Sequence, residues 1–208
     1  MNYLLSILIG YILGSVPTAY ILLKKVKGID ITRIGSGNVG AMNSFETTNS
    51  KKIGSAVLLI DLVKGFLSVL IVKLLVSSEF VFPMISLIFA VFSHSFSPWI
   101  KFKGGRGLAT AAGGMLILSI PIPIIWILSW LLIILINRDF HIANFSATVI
   151  SIILCIIFAD SLNSYSNPPA GNSTEFAILV STMFVIILVT HINPLIQLFH
   201  EQRKIQRT

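Results

Sequence analysis

Apolar residues in this chain run in long blocks, each ended by a short polar stretch. The first block is Leu4 to Leu23, and a polar loop from Lys24 to Lys52 follows it. A second runs from Ile53 to about Val76, and Ser77, Ser78 and Glu79 form the turn after it. A third runs from Phe80 to Ile100 and ends at the segment KFKGGRG, Lys101 to Gly107. Leu108 to Ile136 carries no charge, and later blocks span Ile142 to Phe158 and Phe176 to Leu195, with a polar stretch from Ala159 to Thr174 between them. Crossing a hydrocarbon core of about 30 Å takes about 20 residues of helix, which most of these blocks can supply. Helices are the expected spanning element because each satisfies its own backbone hydrogen bonds.

The stretch from Leu108 to Ile136 is either one very long helix or two short ones folded at Ile120-Pro121-Ile122-Pro123. The distribution of basic residues decides between them. With a fold at the prolines there are seven spans, and every Lys and Arg except Lys64 and Lys73 lies on one face, in keeping with a positive cytoplasmic side. The other face keeps only Glu79, Asp160 and Glu175. A single crossing would strand Arg138 and the basic tail of Arg203, Lys204 and Arg207 on the opposite side. The expectation is therefore an all-α integral membrane protein of about seven transmembrane helices. Its N-terminus lies outside and its C-terminus in the cytoplasm, and residues 1–208 form one domain. The fourth and fifth spans would be short and need tilt or a locally thinned bilayer.

Composition agrees. Of 208 residues, 55% are hydrophobic and 11% charged, about half the charged fraction of a soluble domain, and mean hydropathy is +0.91. The first block lacks a basic n-region and a small-residue cleavage site, so it reads as a span rather than a secretory leader. The net charge of +7 sits in short loops without an aromatic-interleaved stripe, which argues against nucleic acid as a partner. Cys155, the single cysteine, reads as small core filler.

Two polar loops stand out in so apolar a chain. The first, GSGNVGAMN, places Gly35, Gly37 and Gly40 among Ser36, Asn38 and Asn43. The second sets Lys101, Lys103 and Arg106 around Gly104, Gly105 and Gly107, with Thr110 a turn later. Glycines let backbone amides approach an anion, and Ser and Asn side chains add donors. A phosphate on the amides that open the fourth helix would also meet a favourable dipole. The second loop is not a Walker A sequence, and no strand precedes it. Within the second block, Asp61 and Lys64 are spaced i,i+3, as for an ion pair that offsets two intramembrane charges. No metal-ligand cluster is visible, and neither a cofactor nor a Ser-His-Asp arrangement is called for.

These motifs, in this order, resemble the acyl-phosphate-dependent glycerol-3-phosphate acyltransferases of bacteria, the PlsY type. The likeness runs from GSVPTAY (Gly14 to Tyr20) through GSGNVGAMN and LLIDLVKG (Leu58 to Gly65) to His94 and KFKGGRGLAT. It covers about the first 120 residues well and the rest mainly by topology. It implies a multi-pass enzyme of the bacterial inner membrane with its active site at the cytoplasmic face. Such enzymes move a fatty acyl group from acyl phosphate to the 1-hydroxyl of glycerol 3-phosphate, giving lysophosphatidate and phosphate for phospholipid synthesis, with the lipid bilayer as the other partner.

By resemblance, Ser36, Asn38, Lys103 and Arg106 are the expected catalytic residues. Gly35, Gly37, Gly40, Asn43, Gly104, Gly105, Gly107, Thr110, His191 and Asn193 are the expected substrate contacts. Several positions depart from the family pattern. Arg106 replaces the usual Lys, Met42 the usual Thr, and Glu46 a phosphate-binding Arg for which Arg33 is a candidate substitute. His141 and Asn144 replace serines, and His191-Ile192-Asn193 is a shortened form of the last motif. Two other functional classes fit the same loops: a binding or transport protein for a phosphorylated metabolite, and an inactive relative of the family.

Overall fold

A computed structural model describes residues 1–205, with side chains to residue 200. The basic side chains of Arg203, Lys204 and Arg207 lie outside this description. Among the described residues, regular structure is helical, apart from one isolated antiparallel bridge between Ser97 and Lys103. Ten α-helices follow in order: α1 (Asn2–Ser15), α2 (Thr18–Lys27), α3 (Ala41–Thr48), α4 (Lys51–Leu75), α5 (Val81–Ser95), α6 (Leu108–Leu118), α7 (Pro121–Asn137), α8 (Phe140–Ile157), α9 (Ala159–Ser164) and α10 (Ser173–Ile205). Among the described residues, four segments are long and apolar enough to cross a membrane: Asn2–Lys27, Lys51–Leu75, Phe140–Ile157 and Ser173–His200.

The fold at Pro121 is present, with Ser119 extended between α6 and α7. Other expected boundaries are corrected. The first block is two helices, because the residue before a proline is pushed out of the helical region; Val16 is extended at ψ 113°. The third block ends as a helix at Ser95, not Ile100; Phe96 leaves helical geometry and Pro98–Ile100 is a 3-10 turn. The polar loop from Lys24 to Lys52 contains α3, capped at Gly40, and the polar stretch after α8 opens with α9. The last helix continues through Pro194 to Ile205, well past the expected end at Leu195.

Close helix crossings are made by glycine. A Cβ on Gly10 or Gly14 of α1 would strike the backbone of Ser86 or Ala90 on α5. Gly65 of α4 meets the Thr110 backbone in the same way, and Gly113 of α6 meets that of Leu62. Small residues at such crossings are how helices approach closely where lipid gives no hydrophobic drive between them. The larger core cluster lies among α5, α6, α8 and α10 and holds the buried Cys155. The smaller one unites Ala19, Leu23, Ile31, Val39, Val57 and Ile100, so that the first loop and the residue leading into the second are anchored in one place. Outside, Leu131, Leu132, Leu135 and Ile136 of α7 stand exposed, as a lipid-facing surface requires.

Candidate active site

The two glycine-bearing loops meet. The Val39 amide donates to the Gly104 carbonyl at 3.0 Å, joining the first loop to the second by backbone alone. A Cβ on Gly105 would stand 3.1 Å from the Val39 carbonyl oxygen, so the seam is tight on both sides.

Asn43 organises the first loop. Its Oδ1 accepts from the Ser36 amide at 3.1 Å and from the Thr47 hydroxyl at 3.5 Å. Its Nδ2 donates to the Asn38 carbonyl at 2.8 Å and the Ile34 carbonyl at 3.2 Å. The side chain is buried and occupied by its own loop, whereas Ser36 is exposed and Asn38 half-buried. Gly35, at φ +61°, turns the chain over this amide, and a Cβ there would collide with Asn43 Oδ1. Upstream, the Asp30 carboxylate accepts from the Thr32 hydroxyl at 2.7 Å and pairs with Arg33 Nε at 3.5 Å. These contacts, led by the Thr32 hydroxyl, hold the carboxyl below its usual range. Arg33 is thus engaged with Asp30.

The second loop is held from several directions. Ser97 receives both ends of a tight turn, its carbonyl accepting from the Phe102 amide at 2.9 Å and its amide donating to Lys103 at 3.1 Å. Within that turn Lys101 and Phe102 both adopt left-handed backbone, at φ 59° and 57°. Side chains of this kind pay about 1–3 kcal/mol for such geometry and keep it only where the surroundings enforce it. The Ser97 hydroxyl donates to the Ser15 carbonyl at 2.6 Å, and Trp99 Nε1 to the Ser15 hydroxyl at 3.0 Å, tying the turn to α1. The Thr190 hydroxyl of α10 reaches the Arg106 carbonyl at 3.3 Å. Gly107, at φ +82°, caps α6.

A cavity of about 950 Å³ opens beside this seam. It lies between α3 and α4 on one side and α7 and the start of α8 on the other. Ser36, Asn38, Asn43 and Arg106 line it, together with Glu46, Lys51 and Arg138. Trp126 and Trp130 supply an aromatic wall, Trp126 being fixed by its Nε1 bond to Thr148 at 3.1 Å. Burial draws the Arg106 guanidinium below its ordinary range, and the Glu46 carboxylate partly offsets the loss. At any ordinary pH it remains charged.

Not every expected contact lines this cavity. Lys103 is exposed on the loop, and Asn193 is exposed on α10. Gly35, Gly37, Gly40, Gly104, Gly105 and Gly107 contribute backbone shape rather than lining side chains. Thr110 and His191 are buried nearby, each with an atom lacking a protein partner, Thr110 Oγ1 and His191 Nε2. The other ring nitrogen of His191 bonds the Ile187 carbonyl at 2.8 Å. Sequence reasoning passed over the two Trp residues and Lys51. The Trp spacing of i,i+4 was the available signal, but inside an apolar block it looks like any other filler.

A helical protein with lipid-facing helices and two anion-suited loops beside one cavity is a membrane protein built around a phosphorylated or otherwise anionic ligand. Comparison with known proteins makes this particular. The family model described as glycerol-3-phosphate acyltransferase matches residues 4–201. Glycerol-3-phosphate acyltransferase of Thermotoga petrophila is 37% identical over 158 residues, covering 76% of this chain and 80% of the relative. That of Pelagibacter ubique is 36% identical, covering 92% of this chain and 91% of the relative. The crystal structure of PlsY, an integral membrane glycerol 3-phosphate acyltransferase, in its glycerol 3-phosphate form superposes with a TM-score of 0.76 at 28% identity, over 97% of this chain and 94% of that one. Its lysophosphatidic acid form gives 0.75. The chain belongs to the glycerol-3-phosphate acyltransferase family, of the PlsY type.

Proposed function

We propose that this integral membrane acyltransferase, which acylates glycerol 3-phosphate, takes its acyl group from an acyl phosphate at a site facing the cytoplasm. The observation that carries the reading is the backbone bond from Val39 to Gly104, which brings two anion-suited loops to one cavity. Both substrates of such a reaction carry phosphate, and one also carries a hydrocarbon tail. The cavity offers matching parts: Arg106, Lys51 and Arg138 for phosphate, and Trp126, Trp130 and Leu58 for the chain. Its volume lies within the usual range for small-molecule sites, about 300–1,000 Å³.

The chemistry asks little of the protein beyond placement and charge. The 1-hydroxyl of glycerol 3-phosphate attacks the acyl carbonyl carbon, a tetrahedral oxyanion forms, and the carbon–oxygen bond to phosphate breaks. Inorganic phosphate leaves, and the hydroxyl proton passes to a substrate phosphate oxygen. Holding two anions in register supplies much of the rate. The amides of Gly104 and Gly107, with Arg106 and Lys103, would stabilise the oxyanion and the departing phosphate. Ser36 and Asn38 would orient glycerol 3-phosphate, and His191 Nε2 would accept from one of its hydroxyls, with Asn193 further along α10. Thr110 would donate beneath the second loop. Asn43 works one step back, by holding Ser36 and Asn38 in place.

Seven crossings fit this arrangement, with the N-terminus outside. At 1.5 Å per residue, α5 and α6 extend only about 22 Å and about 17 Å, against about 38 Å for α4. The loop that joins α5 to α6 would then lie recessed beneath the lipid surface, with exposed Trp99 and Phe102 at the interface. In a bacterium this is the inner membrane. The deciding experiment gives vesicle-reconstituted protein palmitoyl phosphate, palmitoyl-CoA or palmitoyl-acyl carrier protein with labelled glycerol 3-phosphate. Lysophosphatidate from palmitoyl phosphate alone is expected; transfer from a thioester with none from the phosphate would overturn the donor assignment.

A further inference from the structure

The charged pair buried in α4 takes no part in the chemistry above. Lys64 Nζ lies 3.0 Å from Asp61 Oδ1 and also donates to the Val16 carbonyl at 3.1 Å. That carbonyl stands at the break between α1 and α2, beside Pro17, which has no N–H to offer the helix. His94 of α5 brings its Nδ1 to 3.7 Å from the same Asp61 oxygen. All three side chains are more than nine-tenths buried, at 7%, 3% and 6% exposure for Lys64, Asp61 and His94.

The far edge of the imidazole rests against the second loop. A Cβ on Gly105 would collide with His94 Nε2, and the Gly105 amide donates to the His94 carbonyl at 3.1 Å. Gly104 on the other side of that amide receives the Val39 bond that joins the loops. One line of contacts therefore runs from the helix break, through the ion pair and the packed imidazole, to the seam beside Arg106. Charge at such depth is costly, and an ion pair serving packing alone is replaceable by apolar side chains with little loss. Its placement under the loop gives it a use that packing does not.

We infer that Asp61, Lys64 and His94 form one positioning cluster that sets the height of Gly105, and hence of the Arg106 side of the active site. Lys64 holds Asp61, Asp61 orients the His94 ring, and the ring props the glycine. The inference rests on the anion-gripping role proposed for the second loop. None of the three touches substrate.

The test separates positioning from packing by removing the charges together. Asp61→Asn alone leaves a buried lysine unpaired and is expected to unfold or express poorly. The double variant Asp61→Asn with Lys64→Met has no unpaired charge and is expected to fold with a near-normal unfolding midpoint in detergent. Its kcat with palmitoyl phosphate and glycerol 3-phosphate should nonetheless fall by about tenfold or more, since a prop has shifted. His94→Gln, which keeps a polar group of similar reach, should retain more rate than His94→Ala. Hydrogen exchange across Lys101 to Gly107 should speed up in the double variant while α8 and α10 stay as protected as before. A folded double variant with wild-type rate and unchanged exchange in that loop would overturn the inference. If wild-type protein is inactive with palmitoyl phosphate, the donor assignment fails while the exchange measurement still decides this one.

Discussion

Replacing Asn43 by Asp separates its structural part from its chemical one. The change is nearly isosteric and leaves Oδ1 able to accept from the Ser36 amide, now at 3.1 Å. It turns Nδ2, which donates to the Asn38 and Ile34 carbonyls at 2.8 and 3.2 Å, into an oxygen facing two oxygens. Each lost bond is worth about 0.5–1.5 kcal/mol, and a buried group left unsatisfied costs about 1–3 kcal/mol more. A total of about 3 kcal/mol corresponds to a drop on the order of 100-fold in the population of this loop arrangement. The helix beneath should survive, because its first backbone bond, from the Ser44 amide to the Gly40 carbonyl at 3.0 Å, does not involve the Asn43 side chain. The assay is lysophosphatidate formation by reconstituted protein, with kcat/KM for glycerol 3-phosphate measured beside an unfolding scan. We expect a fall of about 10- to 100-fold with little change in midpoint. Should Asn43→Asp keep its kcat/KM within twofold of wild type, the loop does not depend on this amide and the reasoning fails.

Arg106→Ala removes the buried-edge guanidinium from the cavity, and loss of charge-assisted bonds worth about 1.5–3 kcal/mol predicts a rate about 10- to 150-fold lower. Arg106→Lys should fall between, keeping charge but losing the planar fork, as steady-state rates will show. Lys103→Ala, on the exposed rim, is expected to abolish transfer, and a retained rate would remove it from the site. Glu46→Arg replaces the carboxylate opposite Arg106 with a second cation, so KM for glycerol 3-phosphate should fall, read from initial rates at limiting acceptor. Gly113→Ala drives a methyl into the Leu62 backbone at the α4–α6 crossing and should destabilise by about 1–3 kcal/mol, read as a lowered unfolding midpoint.

What the sequence made visible divides along a physical line. Hydropathy reports the free energy of moving a side chain into lipid, so it locates what lies in the membrane and is silent on backbone state. Phe96, Pro98, Trp99 and Ile100 are as apolar as the helix before them, yet α5 ends at Ser95 and the chain turns toward Ser15. Leu4 to Leu23 has the length of a span, and only Pro17 betrays the break that Lys64 fills. The opposite failure hid α3, because a short half-polar helix in a polar loop has no apolar block to announce it. The loops themselves were conspicuous because glycine, serine and asparagine are expensive in an apolar chain. Hydropathy and charge led only to the expectation that both loops share a face; their contact appears in the bond from Val39 to Gly104. The roles within them were harder to see. Asn43 and Ser36 are equally polar on paper, but one is buried against its own backbone and the other exposed at the cavity. Donor count says what a residue can bind; burial and neighbours decide whether those donors remain available to a ligand. The same test separates Lys103 from Arg106, two cations three residues apart, since only Arg106 lines the cavity. Three residues of chain thus separate a cation on the exposed rim from one inside the cavity.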